Sequence, residues 1–295
     1  MIDEKILLTP GHTACAGCGE ALAARLVIDA AGPNTIVVTN TGCLEVFSST
    51  YPYSSWRVPF IHSLFENAAA VASGIESALN YLGKTDINII AQAGDGGFGD
   101  IGLQAFSGLW ERGHNVLSIC YDNEAYMNTG IQRSGTSPTG ANTGTSPVGK
   151  LSYGNPTWKK NLLEIALAHR CSYVATASIS YPVDLQNKVK KALKIKGAKF
   201  IHILVPCPLG WGYEPYLSVK IAELAVETGL WPLVEYENGE LKKVRKIKNI
   251  KPIEEYLSLQ KRTQHLLLEE NRHVLEIWKD FIKRNIEKYQ LLETS

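Results

Sequence analysis

One apolar run, Ile87 to Ala93, ends on Gly94-Asp95-Gly96-Gly97-Phe98-Gly99-Asp100-Ile101-Gly102 and leads straight into a helical pattern. A strand, a glycine-rich turn and a helix start, in that order, are the unit of a parallel α/β sheet, because a crossover must carry the chain back before the next strand. The alternation recurs, with strands expected at Thr35 to Thr39, Asn115 to Asp122, Tyr173 to Ala177 and Lys199 to Val205. Helical patterns fill 67–82, 101–112, 161–169, 182–195 and 217–228. The first is so alanine-rich that it reads as fully buried, with Gly74 marking a close neighbour and Gly83 the stop. The fold class is α/β, a doubly wound and mostly parallel sheet with helices on both faces.

Bare backbone at the strand-to-helix turn lets N–H groups approach a phosphate, so the loop reads as a diphosphate site. Two chemistries compete for it. Gly94, Gly96 and Gly99 satisfy the spacing of a dinucleotide fold, with Asp122 at the end of the next strand as the ribose acid. In that reading Asp95 faces the pyrophosphate without a counter-charge. Mg²⁺ between Asp95 and the diphosphate removes the conflict, and Mg²⁺ requires further oxygens. Asn123 is placed to give one, at 123 − 95 = 28 residues on and just past the neighbouring strand, and the Ala125 carbonyl to give another. The Gly-Asp-Gly and Asn spacing resembles the thiamine diphosphate motif.

Net charge is 30 − 29 = +1, so no overall field draws the chain to nucleic acid or an anionic membrane. No apolar run reaches the ~20 residues of a membrane span. The start, Met1-Ile-Asp-Glu-Lys5, lacks the apolar centre of a secretory signal, and a cytoplasmic address is expected. Thiols stay reduced there, so six cysteines read as ligands or core residues rather than disulfides. Cys120 and Cys171 sit among apolar residues and read as core. Cys15-Ala-Gly-Cys18 opens a helix, while Cys43 and Cys207 follow expected strands at the edge where Asp95 and Asn123 emerge. Spacing alone leaves zinc, an iron-sulfur cluster and redox chemistry open. Beside a thiamine site a [4Fe-4S] cluster is favoured, because a thiamine carbanion needs a one-electron acceptor nearby.

Residues 123–160 form a long stretch of Gly, Thr, Ser, Asn and Pro that reads as a binding loop. Residues 1–235 are expected to form the cofactor domain, and 236–295 a hairpin at Asn238-Gly239 followed by an amphipathic helical extension. The basic run 242–251 reads as a solvated edge, and His62 as structural.

Gly11-His-Thr-Ala-Cys-Ala-Gly-Cys-Gly19, Thr41-Gly-Cys-Leu-Glu45, Gly94-Asp-Gly-Gly97, Tyr121-Asp-Asn-Glu-Ala-Tyr-Met-Asn-Thr-Gly130 and Cys207-Pro-Leu-Gly-Trp211 together resemble the β subunit of the 2-oxoacid:ferredoxin oxidoreductases, above all the pyruvate-oxidising ones. The resemblance spans about 9–235 and implies a sheet of the thiamine-diphosphate type. It implies that Cys15, Cys18, Cys43 and Cys207 carry a [4Fe-4S] cluster, and that Asp95, Asn123 and the Ala125 carbonyl hold Mg²⁺. Thr41, Gly42, Cys43, Leu44, Gly94, Asp95, Gly96, Gly97, Met127 and Asn128 would line thiamine diphosphate, with Asn128 the substrate-facing hydrogen-bond donor. The implied reaction is CoA-dependent oxidative decarboxylation of pyruvate, with 2-oxoisovalerate, phenylglyoxylate, 2-oxoglutarate or oxalate as other substrates. Implied partners are α, γ and ferredoxin-like δ subunits, and ferredoxin. The carboxylate that activates the aminopyrimidine would come from another subunit.

Overall fold

The computed structural model describes residues 6–293; the charged start Met1 to Lys5 lies outside the described residues. The strands are β1 Thr35–Thr39, β2 Phe60–His62, β3 Asn88–Gly94, β4 Leu117–Asp122, β5 Val148–Gly149, β6 Ser152–Tyr153, β7 Tyr173–Ser178, β8 Lys199–Leu204, β9 Val234–Glu237 and β10 Glu240–Val244. The helices are α1 Gly19–Ala31, α2 Cys43–Ser48, α3 Ala68–Tyr81, α4 Asp95–Gly99, α5 Leu103–Glu111, α6 Leu162–Ala168, α7 Pro182–Lys194, α8 Pro208–Trp211, α9 Ser218–Glu227, α10 Ile253–Ser258 and α11 Arg272–Tyr289.

Eight strands form one sheet in the order β10-β9-β7-β8-β4-β3-β1-β2. From β7 to β2 every neighbour is parallel. Such strands are covered on both faces, which is why β4, β7 and β8 are buried at every position. On one face Val37, Ile90, Ile119, Tyr121, Ala175 and Ile201 pack with α1 and α7. On the other, Val38, Ala91, Cys120, Val174 and Phe200 pack with α3, α5 and α6. Cys120 and Cys171 are core residues, as their surroundings in the sequence suggest. The expected hairpin is β9 and β10, and β9 pairs antiparallel with β7, so the hairpin extends the main sheet.

Helix α3 corrects two expectations. It buries only Ala68, Ala69, Ala72 and Ser73, while Tyr81 at its end stays 91% exposed. A Cβ added at Gly74 would meet nothing within 4 Å. Alanine richness reflects helix propensity as well as burial, and here one alanine face suffices to cover the sheet.

The C-terminal extension lies on this chain. Val274, Leu275, Trp278 and Ile282 of α11 join Trp211, Trp231 and residues of α9 and α10 in a third cluster. The Trp278 indole N–H donates to the Thr139 carbonyl at 2.9 Å, which ties α11 to the long loop. That loop is held by its own polar side chains: Asn155, fully buried, donates to the carbonyls of Ser137 and Thr157. Among the described residues no helix is long and apolar enough to cross a membrane.

Candidate active site

Parallel strands deliver their C-terminal ends to one edge of a sheet, and at the point where the connections diverge a crevice opens. Here β3 and its neighbours β1 and β4 supply its floor. Asp95 leaves the end of β3 as the first residue of α4, and Asn123 follows β4 directly. A cavity of about 140 Å³ brings together Thr41, Gly42, Cys43, Leu44, Gly94, Asp95, Gly96, Gly97, Asn123, Ala125, Met127 and Asn128. Every residue expected at the cofactor and Mg²⁺ sites therefore borders one space.

The glycine loop is shaped by close packing. A Cβ at Gly96 would lie 2.2 Å from the Tyr126 ring, and one at Gly102 would lie 2.1 Å from the Gly97 carbonyl oxygen. Asn40, at the end of β1, donates to the Gly97 carbonyl and accepts from Ala68 N–H, both at 2.9 Å. The Thr41 hydroxyl is 2.9 Å from His62 Nε2 at the pocket rim, which gives His62 a contact there.

The Asn123 amide terminus stands 2.9 Å from Asp95 Oδ1 and 2.8 Å from the Ala125 carbonyl oxygen. With the amide nitrogen at that position it donates to both; with Oδ1 there, three oxygens converge and need a cation or the Asp95 proton between them. Cis oxygens on an octahedron of 2.0–2.1 Å radius are about 2.9 Å apart, so the second orientation suits Mg²⁺. The other Asp95 oxygen accepts from Ser134 at 2.5 Å and Thr136 at 2.6 Å, both supplied by the long loop. Burial, and then the Asp122 charge, push the Asp95 carboxyl well above the usual carboxylate range. Against the cost of burial, Lys159 and then His202 hold Asp122 low. The pair thus shares one half-buried lysine, and a cation at Asp95 would supply the missing charge.

Asp122 is fully buried, bonded to Thr136 at 2.9 Å and His202 at 2.9 Å. Glu124 N–H and Lys159 Nζ also donate to it, so neither oxygen is free for a ribose, which removes the dinucleotide reading.

Cys18 caps α1, its sulfur accepting from Ala21 N–H, and Cys207 caps α8, its sulfur accepting from Gly210 N–H. Two glycines bring these turns together: a Cβ at Gly17 would lie 2.3 Å from the Pro215 carbonyl oxygen, and one at Gly19 2.7 Å from that of Pro206. Burial, then Glu20, then Cys207, Cys18 and Cys15 raise the Cys43 thiol, so the other three cysteines lie within electrostatic reach of Cys43. Burial and Glu20 push Cys18 up to about 12. Among the described residues no three His, Cys, Asp or Glu are placed to hold a single metal ion. Cys43 also borders the cavity, and Met127 lies between it and the Cys207 turn, against Gly210.

Glu20 escaped the sequence reading. It is 4% exposed, borders the cavity, and burial pushes its carboxyl up to about 8. Its one signal was a carboxylate on the otherwise apolar buried face of α1.

Residues 40–203 match the family model described as the thiamine pyrophosphate enzyme C-terminal TPP binding domain. The chain is 57% identical over 263 residues to pyruvate synthase subunit PorB of Methanosarcina barkeri, covering 89% of each chain. It is 47% identical over 279 residues to ketoisovalerate oxidoreductase subunit VorB of Pyrococcus abyssi, covering 91% of this chain and 90% of that one. Among solved structures, a 2-oxoglutarate:ferredoxin oxidoreductase from Magnetococcus marinus with 2-oxoglutarate, coenzyme A and succinyl-CoA bound superposes with a TM-score of 0.59 at 26% identity, covering 70% of this chain and 67% of that one.

Proposed function

The chain belongs to the 2-oxoacid:ferredoxin oxidoreductases as a β subunit, and from that membership we propose that it oxidatively decarboxylates pyruvate with CoA, holding thiamine diphosphate with Mg²⁺ and a [4Fe-4S] cluster. The observation that carries the reading is the convergence of Asn123, Asp95 and the Ala125 carbonyl beside a cavity whose wall includes Cys43.

In this proposal Asp95, Asn123 and the Ala125 carbonyl hold Mg²⁺, and Gly96 and Gly97 offer bare backbone to the diphosphate. When bound, thiamine diphosphate supplies the carbanion chemistry of decarboxylation and the cluster accepts electrons singly. Asn128 presents its amide to the substrate. Cys15, Cys18, Cys43 and Cys207 hold the cluster; burial raises the Cys18, Cys43 and Cys207 thiols, and cationic iron would offset that cost and favour the thiolates. Cys43 belongs to both the cavity wall and the thiol group, so a cluster held by these cysteines would border the proposed thiamine site.

A cavity of about 140 Å³ is below the ~300–1,000 Å³ of complete small-molecule sites, which fits half a site closed by another subunit. Partners are proposed to be the α, γ and ferredoxin-like δ subunits, with ferredoxin as acceptor in the cytoplasm.

The test is metal and cofactor analysis of the anaerobically purified complex, with a screen of 2-oxoacids, CoA and a one-electron acceptor. The expected result is about four irons per β chain beyond those of the ferredoxin-like subunit, bound thiamine diphosphate, and the highest rate with pyruvate. An iron count that the ferredoxin-like subunit accounts for in full overturns the cluster; faster turnover of 2-oxoisovalerate, 2-oxoglutarate, phenylglyoxylate or oxalate overturns the substrate.

A further inference from the structure

Glu124 stands between Asn123 and Ala125, two of the three residues proposed to offer oxygens to Mg²⁺, and its backbone is left-handed, with φ of 65°. Glycine takes that conformation without steric cost, whereas a side chain strains it, and such residues persist where their surroundings over-determine them. The surroundings are specific here. The Glu124 carboxylate, 4% exposed, accepts from Lys159 Nζ at 2.6 Å through one oxygen and from Arg262 at 2.6 Å through the other. Its N–H donates to Asp122 Oδ1 at 2.9 Å, and its carbonyl accepts from Ser137 at 2.6 Å.

Arg262 belongs to the C-terminal extension, beyond the residues that match the thiamine family model. It is 4% exposed. Its guanidinium lies 3.6 Å from the centre of the Trp211 ring, and its Nε donates to Gln260 at 3.0 Å. The same Trp211 donates its indole N–H to the Asn123 carbonyl at 2.7 Å. Arg262 and Trp211 therefore grip the turn at consecutive residues, one through the Glu124 side chain and one through the Asn123 backbone. Releasing the Glu124 carboxylate would remove the interactions that offset the left-handed strain. The turn would then relax, and the Asn123 amide and Ala125 carbonyl would no longer face Asp95 together.

We propose that Arg262 is a positioning residue for the cation site: acting through Glu124, it locks the Asn123–Ala125 turn in the conformation that presents two oxygens, which makes the C-terminal extension part of the cofactor machinery. The inference rests on the cation site proposed above.

The test uses the whole complex and follows thiamine diphosphate retention as Mg²⁺ is titrated. In Arg262→Gln and in Glu124→Gln the half-saturating Mg²⁺ rises roughly tenfold or more, excess Mg²⁺ restores full retention, and iron content is unchanged. The double variant is no worse than the worse single one, because both break one contact. Lys279→Ala, which removes an exposed ion pair of α11 with Glu254, leaves the titration as in the wild type. A half-saturation within about twofold of wild type in Arg262→Gln, or additive losses in the double variant, overturns the proposal. If Arg262→Gln does not assemble, Arg262→Lys decides, since it keeps the charge and loses the planar fork: a clear rise supports the proposal and an unchanged value overturns it. Retention that is independent of Mg²⁺ in the wild type itself overturns the cation site, and the inference with it.

Discussion

Asn123 and Asp95 leave neighbouring strands of the sheet, and their side chains meet with the Asn123 amide 2.9 Å from Asp95 Oδ1. The parallel pairing sets this meeting: Gly94 of β3 lies opposite Tyr121 of β4, so the residues just past both strand ends arrive together. Asn40 and the long loop then fix the surroundings, Asn40 through the Gly97 carbonyl and the loop through Ser134 and Thr136 on Asp95.

Asp95→Asn is expected to abolish Mg²⁺-dependent retention of thiamine diphosphate, weakening it by roughly a hundredfold or more. The metal-free protein keeps its thermal midpoint or gains slightly, because a buried carboxyl whose charge is disfavoured becomes neutral. Equilibrium dialysis of the cofactor with and without Mg²⁺, beside a melting curve, checks both halves. Retention equal to wild type would remove Asp95 from the metal site.

Cys207→Ser is expected to lower the iron content and the broad ~400 nm absorption of the anaerobic complex. Cys171→Ser, at a core position 2% exposed, keeps both. Iron loss in both variants alike would show general destabilisation instead of ligation.

The strands, the Gly-Asp-Gly turn with its distant Asn123, and the spaced cysteines were legible in the sequence because each is marked locally by residue type and spacing. What stayed hidden depends on tertiary partners. Glu20 looks like an ordinary acid in the first turn of a helix, where the dipole favours it, and only the fold turns it toward the cavity. Arg262 is a single charge in an irregular segment whose partner Glu124 is 138 residues away. Strand β2, three residues at the sheet edge, is too short to show a period. Helix α3 misled for the opposite reason: its composition signals burial, yet only one face meets the sheet.

Two glycine substitutions should move stability in opposite directions. At Gly19 a Cβ would lie 2.7 Å from the backbone carbonyl of Pro206, which has no side-chain freedom to yield. Gly19→Ala therefore destabilises by about 1–3 kcal/mol and draws Cys18 away from the Cys207 turn, with iron lost in proportion. Gly74→Ala, on the exposed side of α3 with nothing within 4 Å, stabilises by about 0.5–1 kcal/mol. Denaturant melts of the two variants against the wild type, with iron counted in each, check the pair; a destabilised Gly74→Ala would show that another chain packs closely there.

Glu20 gives the metal-free protein a pH dependence that Glu20→Gln should remove. Burial raises the folded carboxyl from 4.5 to about 8, so between those values the folded chain holds a proton that the unfolded chain has released. The contribution is therefore fully present below pH 4.5 and is lost as pH rises through about 8. In the limit of full burial the loss is on the order of 5 kcal/mol. Thermal midpoints of the cofactor-free complex from pH 5 to pH 9 should fall more steeply in the wild type than in Glu20→Gln, with the variant the more stable at the alkaline end. Parallel curves would mean that Glu20 is already charged and solvated in the open cavity, and that burial does not govern its ionisation.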